Sequence, residues 1–165
     1  MDGTENPTAD EGRELVVIAA GPGAGGALVF TQRWVHDLDG FHALDQAAQE
    51  QVIGRTRSDS TELDLVPESS HVGRVVLEDD DGEELELYRR SVPYGSATEA
   101  GLFFLAFPND LGLIEAMLDR MFGNDGPPDR LIEFSQAVSG AFSFAPSAGA
   151  LAGLIRDVSD TVSNS

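Results

Sequence analysis

The 165-residue chain contains no cysteine. That removes disulfides, zinc–cysteine sites, iron–sulfur ligation and thiol nucleophiles together. Any metal must be held by histidine or carboxylate, or arrive inside a cofactor. Lysine is absent too, so the ten basic residues are all arginine and face 29 acidic ones, for a formal net charge of −19. Such a surface repels phosphate backbones and anionic lipids, which argues against nucleic-acid and membrane partners. No stretch approaches the ~18 apolar residues of a membrane span, and no charged and then apolar leader opens the chain. The expectation is a soluble, cytoplasmic protein. Internal repeats and coiled-coil heptads are also missing. What remains is 41% hydrophobic residues over a length that suits one domain with a real core. The acidity fits either a high-salt cytoplasm, where screening tames self-repulsion, or an arginine-preferring genome. The first is the expectation here.

Taken in order, Met1 to Gly12 is a polar, turn-rich loop. Glu14 to Ala20 reads as a short buried strand, followed by Gly21-Pro22-Gly23-Ala24-Gly25-Gly26. That spelling is the dinucleotide-binding G-x-G-x-x-G, which must open a helix. The β-branched and aromatic residues from Ala27 to Trp34 predict a strand instead, so nucleotide binding is a minority reading. Asp37 or Asp39 can cap a helix carrying Phe41, Leu44, Ala48 and Val52 on one face and ending near Gly54. Gly101 to Phe107 is a continuous apolar run of strand length. Asn109 or Asp110 caps a helix with Leu111, Ile114, Leu118 and Met121 at helical spacing, stopped by Gly123. A helical turn at Asp129 to Phe134, a strand at Ala141 to Ala145 and an amphipathic helix from Ser147 to Val162 complete the chain. This order suits an α+β, ferredoxin-like plan, an antiparallel β-sheet with helices packed on one face.

The segment with most chemistry runs from Ser69 to Gly95. Val72 to Glu78 and Glu83 to Val92 read as the arms of a hairpin turned at Asp79-Asp80-Asp81-Gly82. Folding there brings His71 near Arg89, Arg90 and Ser91. A histidine beside guanidinium groups stays neutral and can ligate a metal; the alternative is a histidine that merely ends a strand. The acidic turn fails as a calcium loop, because Leu77 and Tyr88 fall on its first and twelfth ligand positions. Serine nucleophile elbows, P-loops and His-Glu-x-x-His are absent. His36 and His42 flank a helix start and share no face, so they are not expected to bind a metal as a pair.

A series of words in fixed order carries a family resemblance. These are Asp2-Gly3-Thr4-Glu5-Asn6-Pro7, Gly25-Gly26-Ala27, Val35-His36-Asp37-Leu38-Asp39, Val52-Ile53-Gly54-Arg55-Thr56, Ser70-His71-Val72, Tyr88 to Gly95, Gly101-Leu102-Phe103-Phe104 and Asp129 to Phe134. From Asp2 to Pro146 the chain resembles the C-terminal half of a dye-decolourising (DyP-type) haem peroxidase. The resemblance implies that residues 1–146 form a ferredoxin-like haem domain and 147–165 a helical tail. It implies haem b, with His71 as the proximal iron ligand and Glu133 as the acid that accepts the Nδ1–H of His71. Asp2 would be the distal acid–base group, Arg89 would stabilise charge as the O–O bond breaks, and Ser91 would hydrogen-bond peroxide or its water. The implied substrates are hydrogen peroxide and a small organic reductant, aromatic or dye-like. Peroxide heterolysis needs a base, a donor to the leaving oxygen and an electron-donating axial ligand, and these residues supply one each.

Members of this family carry two ferredoxin-like domains, and only the second is matched. The pocket is therefore expected to be completed by a second copy in a homo-oligomer or by a separately encoded N-terminal half. The alternative function is a non-catalytic haem-binding or haem-carrier half-domain that needs a partner subunit. Because the hairpin would put His71 and Arg89 on one side, His71 must also leave its strand, and Pro67 to Ser70 is the segment free to let it.

Overall fold

The computed structural model describes residues 9–163, with side-chain surroundings for residues 12–156. Asp2 lies outside them. The elements are α1 (Ala9–Val16), β1 (Ala27–His36), α2 (Leu38–His42), α3 (Gln46–Ile53), α4 (His71–Val75), β2 (Tyr88–Arg89), β3 (Val92–Gly95), β4 (Ala100–Phe107), α5 (Leu111–Met121), a 3₁₀ turn (Arg130–Glu133), β5 (Ser135–Ala145) and α6 (Ala148–Ser163). The sheet is antiparallel in the order β2-β4-β1-β5, with β3 also paired to β4. β2 and β3 keep one register against β4, so they act as a single edge strand interrupted at Arg90 and Ser91. With that merger the fold is the α+β, ferredoxin-like arrangement expected.

β1 shows why the core lies where it does. Residues two apart share a face of a strand, and Phe30 and Trp34 are its buried positions. Against them α5 lays Ile114, Met117 and Met121, all buried, while Ala106 of β4 and Leu77 close the cluster. Asp110 caps α5 by accepting from Gly112 N, and Gly123 follows it at φ 78°.

Three expectations are corrected. Glu14 to Ala20 is not a strand: α1 extends to Val16, and Val17 makes only a bridge to Ala27. The glycines after it turn the chain straight into β1, with Gly21, Gly23 and Gly25 at positive φ, so no helix opens there as a nucleotide fingerprint requires. The single helix from Asp37 to Gly54 is two, capped separately by Asp37 and Asp45.

The third correction bears on the site. Val72 to Val75 belongs to α4, not to a hairpin arm. The acidic turn does form, with Asp79 Oδ1 accepting from Asp81 N and Glu83 N, but its arms meet only in the bridge Glu78↔Glu84. Valine content favours a strand, yet Ser70 caps the helix by accepting from Gly73 N at 3.1 Å. At the other end Arg120 donates to Val76 O at 2.6 Å and to Gly73 O at 2.8 Å. Tertiary hydrogen bonds thus hold a five-residue helix that propensity alone would not form.

Candidate functional site

His71 is the first residue of α4, so it leaves the preceding loop at a helix start. Its Nδ1 lies 2.7 Å from Asp129 Oδ2. Asp129 is 0% exposed, and its other oxygen accepts from Leu131 N at 2.8 Å. A buried carboxylate needs such partners, and backbone bonds from Asp129 N to Met121 O and from Arg130 N to Ser69 O tie this turn to α5 and to the loop before His71.

The acid at His71 is therefore Asp129, and the expected Glu133 is not. The reason is the period of the 3₁₀ turn, three residues per turn, which puts residues i and i+3 on one side. Asp129 and Ile132 share the inward side, whereas Glu133 aligns with Arg130, pairs with it at 3.8 Å and is 59% exposed.

His71 and Asp129 open onto a cavity of about 100 Å³. Its apolar wall comes from Trp34, Leu102, Phe104, Val75, Met117, Met121, Leu131 and Ile132, and its polar groups are Gln32, His36, His71, Arg89, Asp129 and Ser135. Arg89 reaches the cavity from β2, opposite Ala106, and its guanidinium has no hydrogen-bond or ion-pair partner among the described residues. The sheet and the packing of α4 on α5 bring His71 and Arg89 together; hairpin pairing does not. Ser91 is exposed and is not part of the lining, but the shared register of β2 and β3 sets it opposite Phe104, at the rim.

Two groups in this cavity escaped the sequence reading. Asp129 is one; His36, considered only as a metal partner of His42 and set aside as such, is the other, and its Nδ1 lies 2.7 Å from Ser135 Oγ. Burial lowers the pKa of His36 from the ordinary 6.5, so its ring is neutral at pH 7. The signal that could have found it is strand alternation, since Gln32, Trp34 and His36 fall on one face of β1.

The donor set fits an iron porphyrin. Nδ1 of His71 is occupied by a carboxylate, the arrangement that fixes a ligating imidazole and leaves Nε2 for the metal, and the surrounding wall is largely hydrocarbon. An enclosed ligand site typically holds ~300–1,000 Å³, so the described residues supply a wall and a floor and not a full enclosure.

Comparison with known proteins agrees with this chemistry. The family model described as Dyp-type peroxidase, C-terminal, matches residues 1–150. A dye-decolorizing peroxidase of Mycolicibacterium paratuberculosis is 37% identical over 158 residues, covering 88% of this chain and 44% of that protein. The structure of a dye-decolorizing protein from V. cholerae is similar with TM-score 0.81 and 48% identity, over 89% of this chain and 50% of that one. A variant of Rhodococcus jostii RHA1 DypB, solved in complex with heme, gives TM-score 0.82 and 37% identity over 91% of this chain and 51% of that one. The chain thus spans about half the length of the relatives it matches. With a histidine–carboxylate pair at an apolar cavity and this match over nearly its whole length, the chain belongs to the Dyp-type peroxidase family, within that family's C-terminal region.

Proposed function

We propose that this chain is the haem-holding half of a DyP-type peroxidase that uses hydrogen peroxide to oxidise small aromatic or dye-like donors. The observation that carries the reading is the His71–Asp129 pair, a fully buried carboxylate 2.7 Å from Nδ1 at the edge of an apolar cavity. His71 holds the iron through Nε2. Asp129 keeps the ring oriented and makes the imidazole a stronger electron donor. Haem b, when bound, supplies the redox chemistry that couples peroxide to the donor. Arg89, which lines the cavity and has no hydrogen-bond or ion-pair partner among the described residues, would stabilise negative charge on a departing peroxide oxygen. Ser91 at the rim hydrogen-bonds peroxide or its water, and Asp2 moves the peroxide proton. In this reading residues 1–146 are the haem domain and 147–165 an appended tail.

A second reading, a haem-binding or carrier module that becomes catalytic only with a partner, is favoured by the small cavity. The partner would be a second copy or a separately encoded N-terminal half.

Spectroscopy with turnover separates the two. Protein loaded with haemin should show a Soret band that His71→Ala loses, and peroxide-dependent dye oxidation that Arg89→Leu abolishes with the band retained. No Soret band in haemin-supplemented wild type overturns both readings. A band without turnover selects the carrier.

A further inference from the structure

The floor of the cavity has an order that haem ligation by His71 does not use. Strand register stacks its residues in rows: Arg89 with Ala106 and Phe30, then Phe104 with Gln32, then Leu102 with Trp34, then Ala100 with His36 and Ser135. Polar side chains occupy the two ends, and the row of Leu102 and Trp34 between them is apolar. Phe30 in the Arg89 row and His36 are six positions apart on β1, roughly 20 Å of strand. A flat aromatic ligand lying on Trp34 and Phe104 therefore meets hydrogen-bonding groups again only at its far edge.

That edge is built. His36 and Ser135 are paired across β1 and β5, and their side chains meet at 2.7 Å. Asp37 N donates to Phe134 O at 2.8 Å, which pins the end of β1 to the residue before Ser135. In the tautomer in which the Ser135 hydroxyl donates to Nδ1, the ring carries its own hydrogen on Nε2. The result is an oriented, uncharged N–H donor on the cavity wall. In a chain of net charge −19, a donor of this kind can hold an anionic oxygen without a cation beside it.

We propose that His36, oriented by Ser135, is a carboxylate-binding residue of the cavity, and that it anchors an acid group on the edge of the bound macrocycle. The proposal rests on the haem reading and adds a subsite to it. Its test compares haemin with haemin dimethyl ester, in which both carboxylates are masked. Each is titrated into wild type, His36→Phe, His36→Gln and Ser135→Ala, with the Soret band as readout and circular dichroism as the check on folding.

Wild type should bind haemin more tightly than the ester. His36→Phe should weaken haemin binding by about tenfold to a hundredfold, as expected for a hydrogen bond to a charged group, and leave ester binding nearly unchanged. His36→Gln, which keeps an N–H donor, should recover part of the loss, and Ser135→Ala should show a smaller loss with the same dependence on ligand. Equal weakening of both ligands in His36→Phe would make His36 a wall residue and overturn the subsite while the haem reading stands. If His36→Phe does not fold, equal affinities of Ser135→Ala and wild type for haemin overturn it instead. Failure of wild type to bind either ligand overturns the haem reading and the subsite together.

Discussion

Asp129 and Glu133 are four residues apart and have opposite fates. Asp129 is sealed behind His71, and Glu133 sits in water beside Arg130. Replacing Asp129 with alanine strips an acceptor from the His71 ring and from Leu131 N. That should cost about 1–3 kcal/mol in urea unfolding and about tenfold to a hundredfold in haemin affinity, the usual effect of losing a partner behind a metal ligand. Glu133→Gln should change stability by no more than ~0.5 kcal/mol, because it weakens an exposed pair. Equal effects of the two substitutions would contradict the assignment. The motif from Asp129 to Phe134 was legible in the sequence as a helical turn, but which acid faces inward was not. That choice turns on a period of three residues instead of 3.6 and on what the turn packs against.

Among the elements, α4 depends most on the rest of the molecule. Its five residues have Ser70 at one end and Arg120 at the other. Arg74, whose side chain is only 3% exposed, binds Arg120 O and forms an ion pair with Asp125. Arg120→Ala leaves Gly73 O and Val76 O without their donors. It is predicted to lower stability by about 1–3 kcal/mol and to speed amide exchange in α4 relative to α5, readable by mass spectrometry. Arg120→Lys should rescue only part, since an ammonium cannot span two carbonyls as a guanidinium fork does. Unchanged exchange in α4 would mean that Ser70 and Arg74 hold the helix without the Arg120 side chain. The strands β1 and β4 and the helix α5 were read correctly because their apolar periods are long and their caps are local, at Asp110 and Gly123. α4 was misread as a strand arm because it is short and carries two valines in five residues, and the end of α1 because it runs straight into the apolar residues Val17 and Ile18.

At the scale of the whole molecule, charge dominates. A net charge of −19 on 165 residues favours expansion through self-repulsion, which shrinks as the Debye length falls from ~30 Å at 0.01 M salt to ~3 Å at 1 M. Raising potassium chloride across that range should raise the melting temperature, by about 2–4 °C for each ~1 kcal/mol of repulsion removed. A melting temperature that is flat or falls with salt would show that the acidic surface is already well dispersed. The same field lies around a cavity of about 100 Å³, so whatever completes the enclosure has to approach a strongly anionic body. Native mass measurement with haem stoichiometry reads that partner directly.

The sequence by itself determined the absence of thiol chemistry, since the chain has no cysteine, and its net charge of −19 argues against polyanionic partners. It also determined the principal strands, the long helix with its caps and the ferredoxin-like order, because these rest on local periodicity and on motifs in fixed order. Only the tertiary structure decided that Asp129 backs His71, that His71 starts a helix, and that His36 and Ser135 meet at the far end of the same cavity. Each of these joins residues far apart in the chain, 58 positions for His71 and Asp129 and 99 for His36 and Ser135. Contacts over such separations follow from how the sheet registers and how helices pack on it, which no local pattern of residues encodes.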